Sequence, residues 1–473
     1  MEVTVAGWSM SGLFSRKKGP SSAPVGATSG SVMVKPPARE TSRRSEPGSA
    51  LPRFNTTAGD QASGRGGDRF SALRARLRNA FTPSQPIAER RLFAGREDVL
   101  KSMIRSIEDQ RLHVVIYGER GIGKTSLLHI LTQAATEARY IVVYSSCGAN
   151  SNFDDTFRAA AADIPLLYHS GFSPTGSEAE KGSTLADLLP TEPLSPRKFG
   201  DLCAKLTGTR VLIILDEYDR AESAAFRRDM AELIKNLSDR LGRVQIVLAG
   251  VAADLTDLVE HIPSIRRNIF ALRVPKMSET EVMQIVTNGE READLKFEAD
   301  ASAFVVAVAR GLPYMASLIC HHAGHAALDQ GRSAVLAADV QVAIGRAVEE
   351  FQGRVPTPAQ AQVRRLFEMG RHDVLGMTAR AALSADGIFT VADFEVANEV
   401  TSRKAQDAID VLLAEHMLRT VPSDDDVAHY GFVEEGLPTL IWMMWTQKSF
   451  NRKVSPPAQA PAHAPAQRAA VSS

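Results

Sequence analysis

Residues Ile116 to Ile130 read IYGERGIGKTSLLHI. A short apolar and aromatic run, Val114 to Tyr117, enters a glycine-rich loop that closes on Lys124-Thr125 before an apolar-periodic segment. Glycine enters φ > 0 without steric cost, so such a loop can turn successive backbone N–H groups towards one guest. The helix start behind it adds a partial positive charge. Phosphate suits both features. Gly118-x4-Gly123-Lys124-Thr125 has the P-loop spacing, in the strand-to-helix context that the motif requires. The cradle then comprises Gly118, Glu119, Arg120, Gly121, Ile122, Gly123, Lys124, Thr125 and Ser126. Lys124 reaches the outer phosphates, and the Thr125 hydroxyl ligates Mg²⁺.

Further along, VLIILDEYDR ends an apolar run at Asp216-Glu217, placing two carboxylates at the C-terminal end of a strand. Ligands of open parallel sheets bind at that edge. Asp216 is positioned to hold the Mg²⁺ shell, and Glu217 to orient or deprotonate an attacking water.

Working outward, LHVVIY, YIVVYSS, RVLIILDEYDR and RVQIVLAG read as strands alternating with helices, and SIRRNIFALRVP leads into a fifth. That order predicts an α/β parallel sheet with helices on both faces. HSGFSPTGSEAEKGS reads as a polar loop. After Pro275 strand patterns vanish, and Ser278–Gln352 reads as all-helical, broken at Gly311-Leu312-Pro313. From about Pro356, three helical stretches precede two extended runs around a polar turn, which predicts a winged helix closed by LPTLIWMMW. The expected division is a disordered basic arm (1–68), an amphipathic helix and linker (69–85), a sheet domain (86–275), a helical lid (276–353), a winged helix (354–449) and a disordered tail (450–473).

In order, LFAGRED, the P-loop, LDEYDR and the GLP of the lid resemble the initiator-like and STAND-like branches of the AAA+ ATPases over about Arg91–Gln352. The resemblance implies ATP as the nucleotide, places Gly95-Arg96-Glu97 near the adenine, and turns Pro313 towards the nucleotide. It also offers Arg267, with Arg266 beside it, as a finger acting on a neighbouring subunit; a plain surface basic pair is the alternative. Two departures, Leu248-Ala249-Gly250 where relatives carry a polar sensor and Tyr314 where they carry a lid arginine, imply slow turnover.

The 55 basic and 55 acidic residues balance, but unevenly along the chain. Met1–Leu92 carries 15 basic against 6 acidic residues, and Val355–Ser449 carries 8 against 14. No apolar run reaches the roughly 18 residues of a bilayer span, and the N-terminus lacks signal-peptide order. Cys147, Cys203 and Cys320 lack metal-ligand spacing. The expected location is cytoplasmic. Cys320, His321 and His325 read as lid-helix residues rather than a zinc site, because no acidic ligand accompanies them.

The expected function is an Mg²⁺-dependent ATPase acting as a nucleotide-controlled switch or assembly factor, in a homo-oligomer or with a protein partner. The alternatives are a DNA-binding initiator or transposition helper, and a scaffold that holds nucleotide without hydrolysis. The acidic winged helix disfavours duplex DNA. In DRFSALRARLRNAF, Phe70, Leu73, Leu77 and Phe81 form one helical stripe flanked by arginines. Such a helix either lies on an anionic membrane, docks an acidic partner, or packs on its own ATPase domain.

Overall fold

A computed structural model describes residues 69–171, 182–240, 242–252, 255, 258, 263–423 and 426–454. The arm 1–68, the tail from 455, most of the polar insert and Asp424-Asp425 of the acidic turn lie outside the described residues.

Five strands, β1 (His113–Gly118), β2 (Ile141–Ser146), β3 (Val211–Asp216), β4 (Val244–Val251) and β5 (Ile269–Arg273), pair in parallel in the order β2-β3-β4-β1-β5. Successive side chains alternate faces, so a sheet covered on both sides needs continuous apolar runs. Leu212 and Ile214 of β3 enter one core, with Val114 and Ile116 of β1. Val211, Ile213 and Leu215 enter the opposite core, against Phe157, Phe199 and Phe226. Buried His113 accepts the Ile246 N–H on Nδ1 at 2.9 Å, and burial lowers its pKa to about 4, keeping it neutral.

Among the described residues, six helices belong to this half of the chain: α1 (Arg69–Ala80), α2 (Glu97–Glu108), α3 (Lys124–Glu137), α4 (Phe153–Ala162), α5 (Pro196–Cys203) and α6 (Ala224–Asp239). The lid follows as α7 (Glu279–Ala293), α8 (Ala299–Ala309), α9 (Pro313–Asp329) and α10 (Ala337–Gln352). It is helical as expected except for one short parallel pair, β6 (Lys296–Phe297) with β7 (Ala334–Val335), which is too brief to leave a period in the sequence.

The C-terminal module runs α11 (Thr357–Glu368), α12 (His372–Ser384), β8 (Ile388–Phe389), α13 (Val391–Asn398), α14 (Ser402–Ala414), β9 (Leu418–Val421), β10 (His429–Phe432) and α15 (Leu437–Val454). Its sheet has the order β8-β10-β9, giving the helix–strand–helix–helix–hairpin arrangement of a winged helix. Four helices precede the hairpin, not three. The break between α13 and α14 is made by Glu399 at φ 54°, a residue type that does not advertise a helix end. The last helix continues through Val454, past the expected end at 449.

Helix α1 stops at Ala80, ahead of Pro83 and Pro86. Its apolar stripe faces the lid: Leu73, Leu77 and Phe81 are buried there. Leu77 and Phe81 fit where Gly324 and Gly289 have no Cβ, since one added at those glycines would lie 2.5 Å and 2.0 Å from them. Arg74 pairs with Asp329 at 3.0 Å and Arg76 with Asp294 at 3.2 Å. Each large buried apolar side chain contributes about 2 kcal/mol, whereas partly exposed ion pairs add ~0–1 kcal/mol. Apolar packing therefore holds the helix, and the stripe that would meet a membrane is covered by the chain itself. Among the described residues, no helix is long and apolar enough to cross a membrane.

Candidate functional site

Strand β1 delivers the chain to the carboxyl edge of the sheet at Gly118, and β3 ends along the same edge at Asp216. With β4 between them, the two strand ends are roughly 10 Å apart. A cleft of about 390 Å³ lies at this edge, with Gly123, Lys124 and Thr125 among its lining residues, as are Asp216 and Glu217. The two motifs read from the sequence thus meet in one place.

The loop follows the conformation its glycines permit. Gly118, Gly121 and Gly123 take φ of 145°, 78° and 92°. Gly123 caps α3, and a Cβ there would come within 3.0 Å of Arg96 Nη1 and 3.4 Å of Pro313 Cγ. The first N–H groups of α3 have no partner inside the helix, so they remain available at the cleft. Buried Lys124 donates to the carbonyls of Gly118 at 2.8 Å and Glu119 at 2.9 Å. Burial lowers its pKa to about 8, a cost that the charges of Asp219, Asp216 and Glu119 partly offset. An ammonium held this way gains from an anion.

Arg96 sits in the left-handed region at φ 59°, and its backbone N–H donates to Glu281 Oε1 at 2.9 Å. Its guanidinium donates to the Ile122 carbonyl through Nη1 and to the Pro275 carbonyl through Nη2 at 3.1 Å. Burial lowers its pKa to about 10, and Nε finds no partner. Arg96 therefore braces the glycine loop from behind. Ser126 Oγ accepts the Ile87 N–H at 3.0 Å, tying α3 to the linker 82–87. Arg120 is exposed at the loop tip.

Asp216 is buried, with Oδ2 accepting from the Tyr144 hydroxyl at 2.7 Å and Oδ1 from the Glu217 N–H at 2.8 Å. Burial, together with the Asp216 hydrogen bond and charge, raises the Tyr144 pKa, so the phenol stays protonated as the donor. Glu217 adopts φ 53°, outside the range ordinary for its residue type. Its Oε2 accepts from Ser146 Oγ at 3.0 Å and from Arg220 at 2.8 Å. Asp219 Oδ1 accepts the Val251 N–H at 2.8 Å and fastens the end of β4.

Arg266 and Arg267 are exposed on the 3₁₀ turn Pro263–Asn268, just before β5. Because Ile269 pairs with His113 and Arg273 with Tyr117, that turn lies at the amino edge of the sheet. It is separated from the loop edge of the same chain by roughly 15 Å of strand.

Several site residues escaped sequence reasoning. Tyr144 and Ser146 belong to β2, whose register sets Ser146 beside Asp216; only strand pairing reveals that. Tyr314 of α9, noted in the sequence only as standing where relatives carry a lid arginine, covers Gly121, whose added Cβ would lie 3.3 Å from its own. Residues 82–87 line the cleft, with Phe93, Ile285 and Pro313. Their signal was the pair Pro83 and Pro86, which reads only as a helix end.

The donor set suits a nucleotide with a divalent cation: an ammonium, a helix start and glycine N–H groups face a hydroxyl and a buried carboxylate, with an apolar end for a base.

The chain matches the family described as Novel STAND NTPase 1 over residues 80–434, about three quarters of its length. No curated protein matches it. Among solved structures it is similar to the Thermotoga maritima RuvB Holliday junction branch migration motor, with 15% identity over 72% of this chain and 93% of that one, at TM-score 0.39. It is similar to Cdc6p from Pyrobaculum aerophilum, with 17% identity over 79% and 98%, at TM-score 0.41. It is also similar to the Aeropyrum pernix Orc1 protein in complex with DNA, with 15% identity over 81% and 98%, at TM-score 0.39. Likeness at this level leaves the function to the site itself. By the family match the chain belongs to the Novel STAND NTPase 1 family, and its glycine loop at the edge of a parallel sheet is that of a P-loop NTPase.

Proposed function

We propose that the chain binds ATP with Mg²⁺, hydrolyses it slowly, and uses the nucleotide to set the position of its winged helix. The observation that carries this reading is the convergence of Lys124, Thr125, Asp216 and Glu217 on one cleft. Lys124 Nζ would leave its two loop carbonyls to face the outer phosphates, and the Thr125 hydroxyl and Asp216 would hold the cation. When bound, the cation neutralises charge on the phosphates. Tyr144 keeps Asp216 turned for that task. Glu217 serves as the base for the attacking water once its carboxylate is released by Ser146 and Arg220.

A direct link supports the switch. Lys276 bridges Glu119 Oε1 of the loop at 2.9 Å to Asp386 Oδ1 of the winged helix at 3.0 Å. Arg273, the last residue of β5, also pairs with Asp386. Burial, reinforced by Asp386, raises the Glu119 pKa to about 7, and Lys276 stands between the two carboxyls. A residue next to the phosphates and a residue of the winged helix therefore respond together. Asp386→Ala removes one acceptor from each of two cations, Arg273 and the largely buried Lys276, an effect of about 1–3 kcal/mol. Limited proteolysis of the nucleotide-free chain should then cut residues 352–357, the joint before α11, about tenfold faster. An unchanged cutting rate would remove this link from the proposal.

Arg266 and Arg267 are too far from their own cleft to act in it, so we assign them a role on a second copy. Turnover per chain should rise with protein concentration in the wild type, and stay flat when both are replaced by alanine. Concentration-independent turnover in the wild type would overturn the assignment. The exposed face of α14 mixes Arg403 and Lys404 with Asp407 and Asp410, which favours a protein contact over duplex DNA.

A further inference from the structure

The cleft is not lined by the sheet and its glycine loop alone. Residues 82–87 also line it, as a strap tied at both ends. At the core end, Ile87 N–H donates to Ser126 Oγ at 3.0 Å, and Gln133 Nε2 donates to the Ala88 carbonyl. Ser126 and Gln133 both belong to α3, the helix that begins at the phosphate cradle. At the lid end, the strap hangs from Phe81, whose carbonyl meets His321 Nδ1 of α9 at 3.0 Å. The Phe81 ring stands edge-on to Phe297 at 6.0 Å and fills the gap left by Gly289. Within the strap, Gln85 N–H donates to the Thr82 carbonyl at 3.1 Å, so it is a turn rather than slack chain.

The phosphate end of the cleft is fixed by Gly121 to Thr125. The end lined by the strap, Phe93 and Ile285 is therefore where an apolar base would lie. A ligand seated there would lie against the strap, whose lid end is tied to α9 through Phe81. We propose that α1 is a positioning element of the nucleotide site, whose docking on the lid holds the strap over the base and sets how long the nucleotide stays bound. This inference rests on the nucleotide reading given above. It assigns the stripe Leu73-Leu77-Phe81 a task beyond packing: undocking it frees one end of the strap and opens the cleft.

The packing supplies both a lock and a release. A Cβ at Gly324 would lie 2.5 Å from Leu77 Cδ1, so cysteines at both positions fall within bridging reach. A Cβ at Gly289 would lie 2.0 Å from Phe81 Cζ, so Gly289→Ala expels the ring without altering the arm. Release of N-methylanthraniloyl-ADP from the full chain would be followed by fluorescence after mixing with excess ADP. The oxidised Leu77→Cys/Gly324→Cys chain should release it about tenfold more slowly than the same chain after reduction. Gly289→Ala and Phe81→Ala should each release it about tenfold faster than wild type. A purely structural role would move thermal stability but not make release depend on the redox state of one chain. Stoichiometric binding with equal release in the oxidised, reduced, Gly289→Ala and Phe81→Ala chains would overturn the proposal and leave the nucleotide site standing. Failure of the wild type to bind the probe would overturn both.

Discussion

Replacing Glu217 with glutamine should leave ATP binding within about threefold of wild type while turnover falls roughly 10²–10³-fold, the order expected when a positioned base is removed. The amide keeps the shape and the oxygen that accepts from Ser146 Oγ, so the left-handed turn at residue 217 has no reason to move. The Arg220 partner loses a charged acceptor, but both side chains are about half exposed, so that loss is small. What disappears is the carboxylate's capacity to take a proton from water. Single-turnover measurements on pre-bound ATP separate the two steps, since they start after binding. A glutamine variant that cleaves bound ATP at the wild-type rate would remove Glu217 from the chemistry and shift attention to Asp219, another carboxylate lining the cleft.

Lys124→Ala should have the larger effect on binding. The ammonium is buried and shared between two loop carbonyls, so its loss removes the charge nearest the phosphates and leaves those carbonyls without their donor. Removing one partner from a buried charge pair costs about 3–5 kcal/mol, which corresponds to roughly a 10²–10³-fold or larger rise in Kd. Titration calorimetry with ATP and Mg²⁺ would measure it, with thermal unfolding of the nucleotide-free chain as the control. The same lysine is lowered to about 8 by burial, so the free chain carries less of its charge above that pH, and ATP capture should slow there. An alanine variant that binds ATP as tightly as wild type would mean that the loop N–H groups alone hold the phosphates.

The two substitutions also distinguish a hydrolase from a scaffold. A scaffold needs Lys124 but is indifferent to Glu217.

How much of this was legible beforehand depends on the range of each interaction. The glycine loop, the acidic strand end and the sheet are local: backbone freedom at Gly118, Gly121 and Gly123, and the continuous apolar runs of β1, β3 and β4, are properties of short segments. Periodicity and spacing therefore exposed them, down to Lys124 and Asp216. The division into sheet, lid and winged helix was legible for the same reason. Its errors fell where the local signal is shortest, at the two-residue strands β6, β7 and β8 and at the break near Glu399.

Tertiary structure decided the contacts between segments far apart in sequence. Arg96, which the family resemblance set near the adenine, braces a loop 26 residues on. Tyr144 looked like one more aromatic in a strand until pairing with β3 turned its hydroxyl onto Asp216. The arm helix shows the division most sharply. Its amphipathic stripe is written in residues 70–81, and any apolar surface would satisfy it. Only the absence of side chains at Gly289 and Gly324, more than 200 residues away, makes the lid the surface that fits. A sequence states what a face must bury, because that follows from its own side chains. Which surface buries it depends on shape complementarity, and that exists only once both partners are folded.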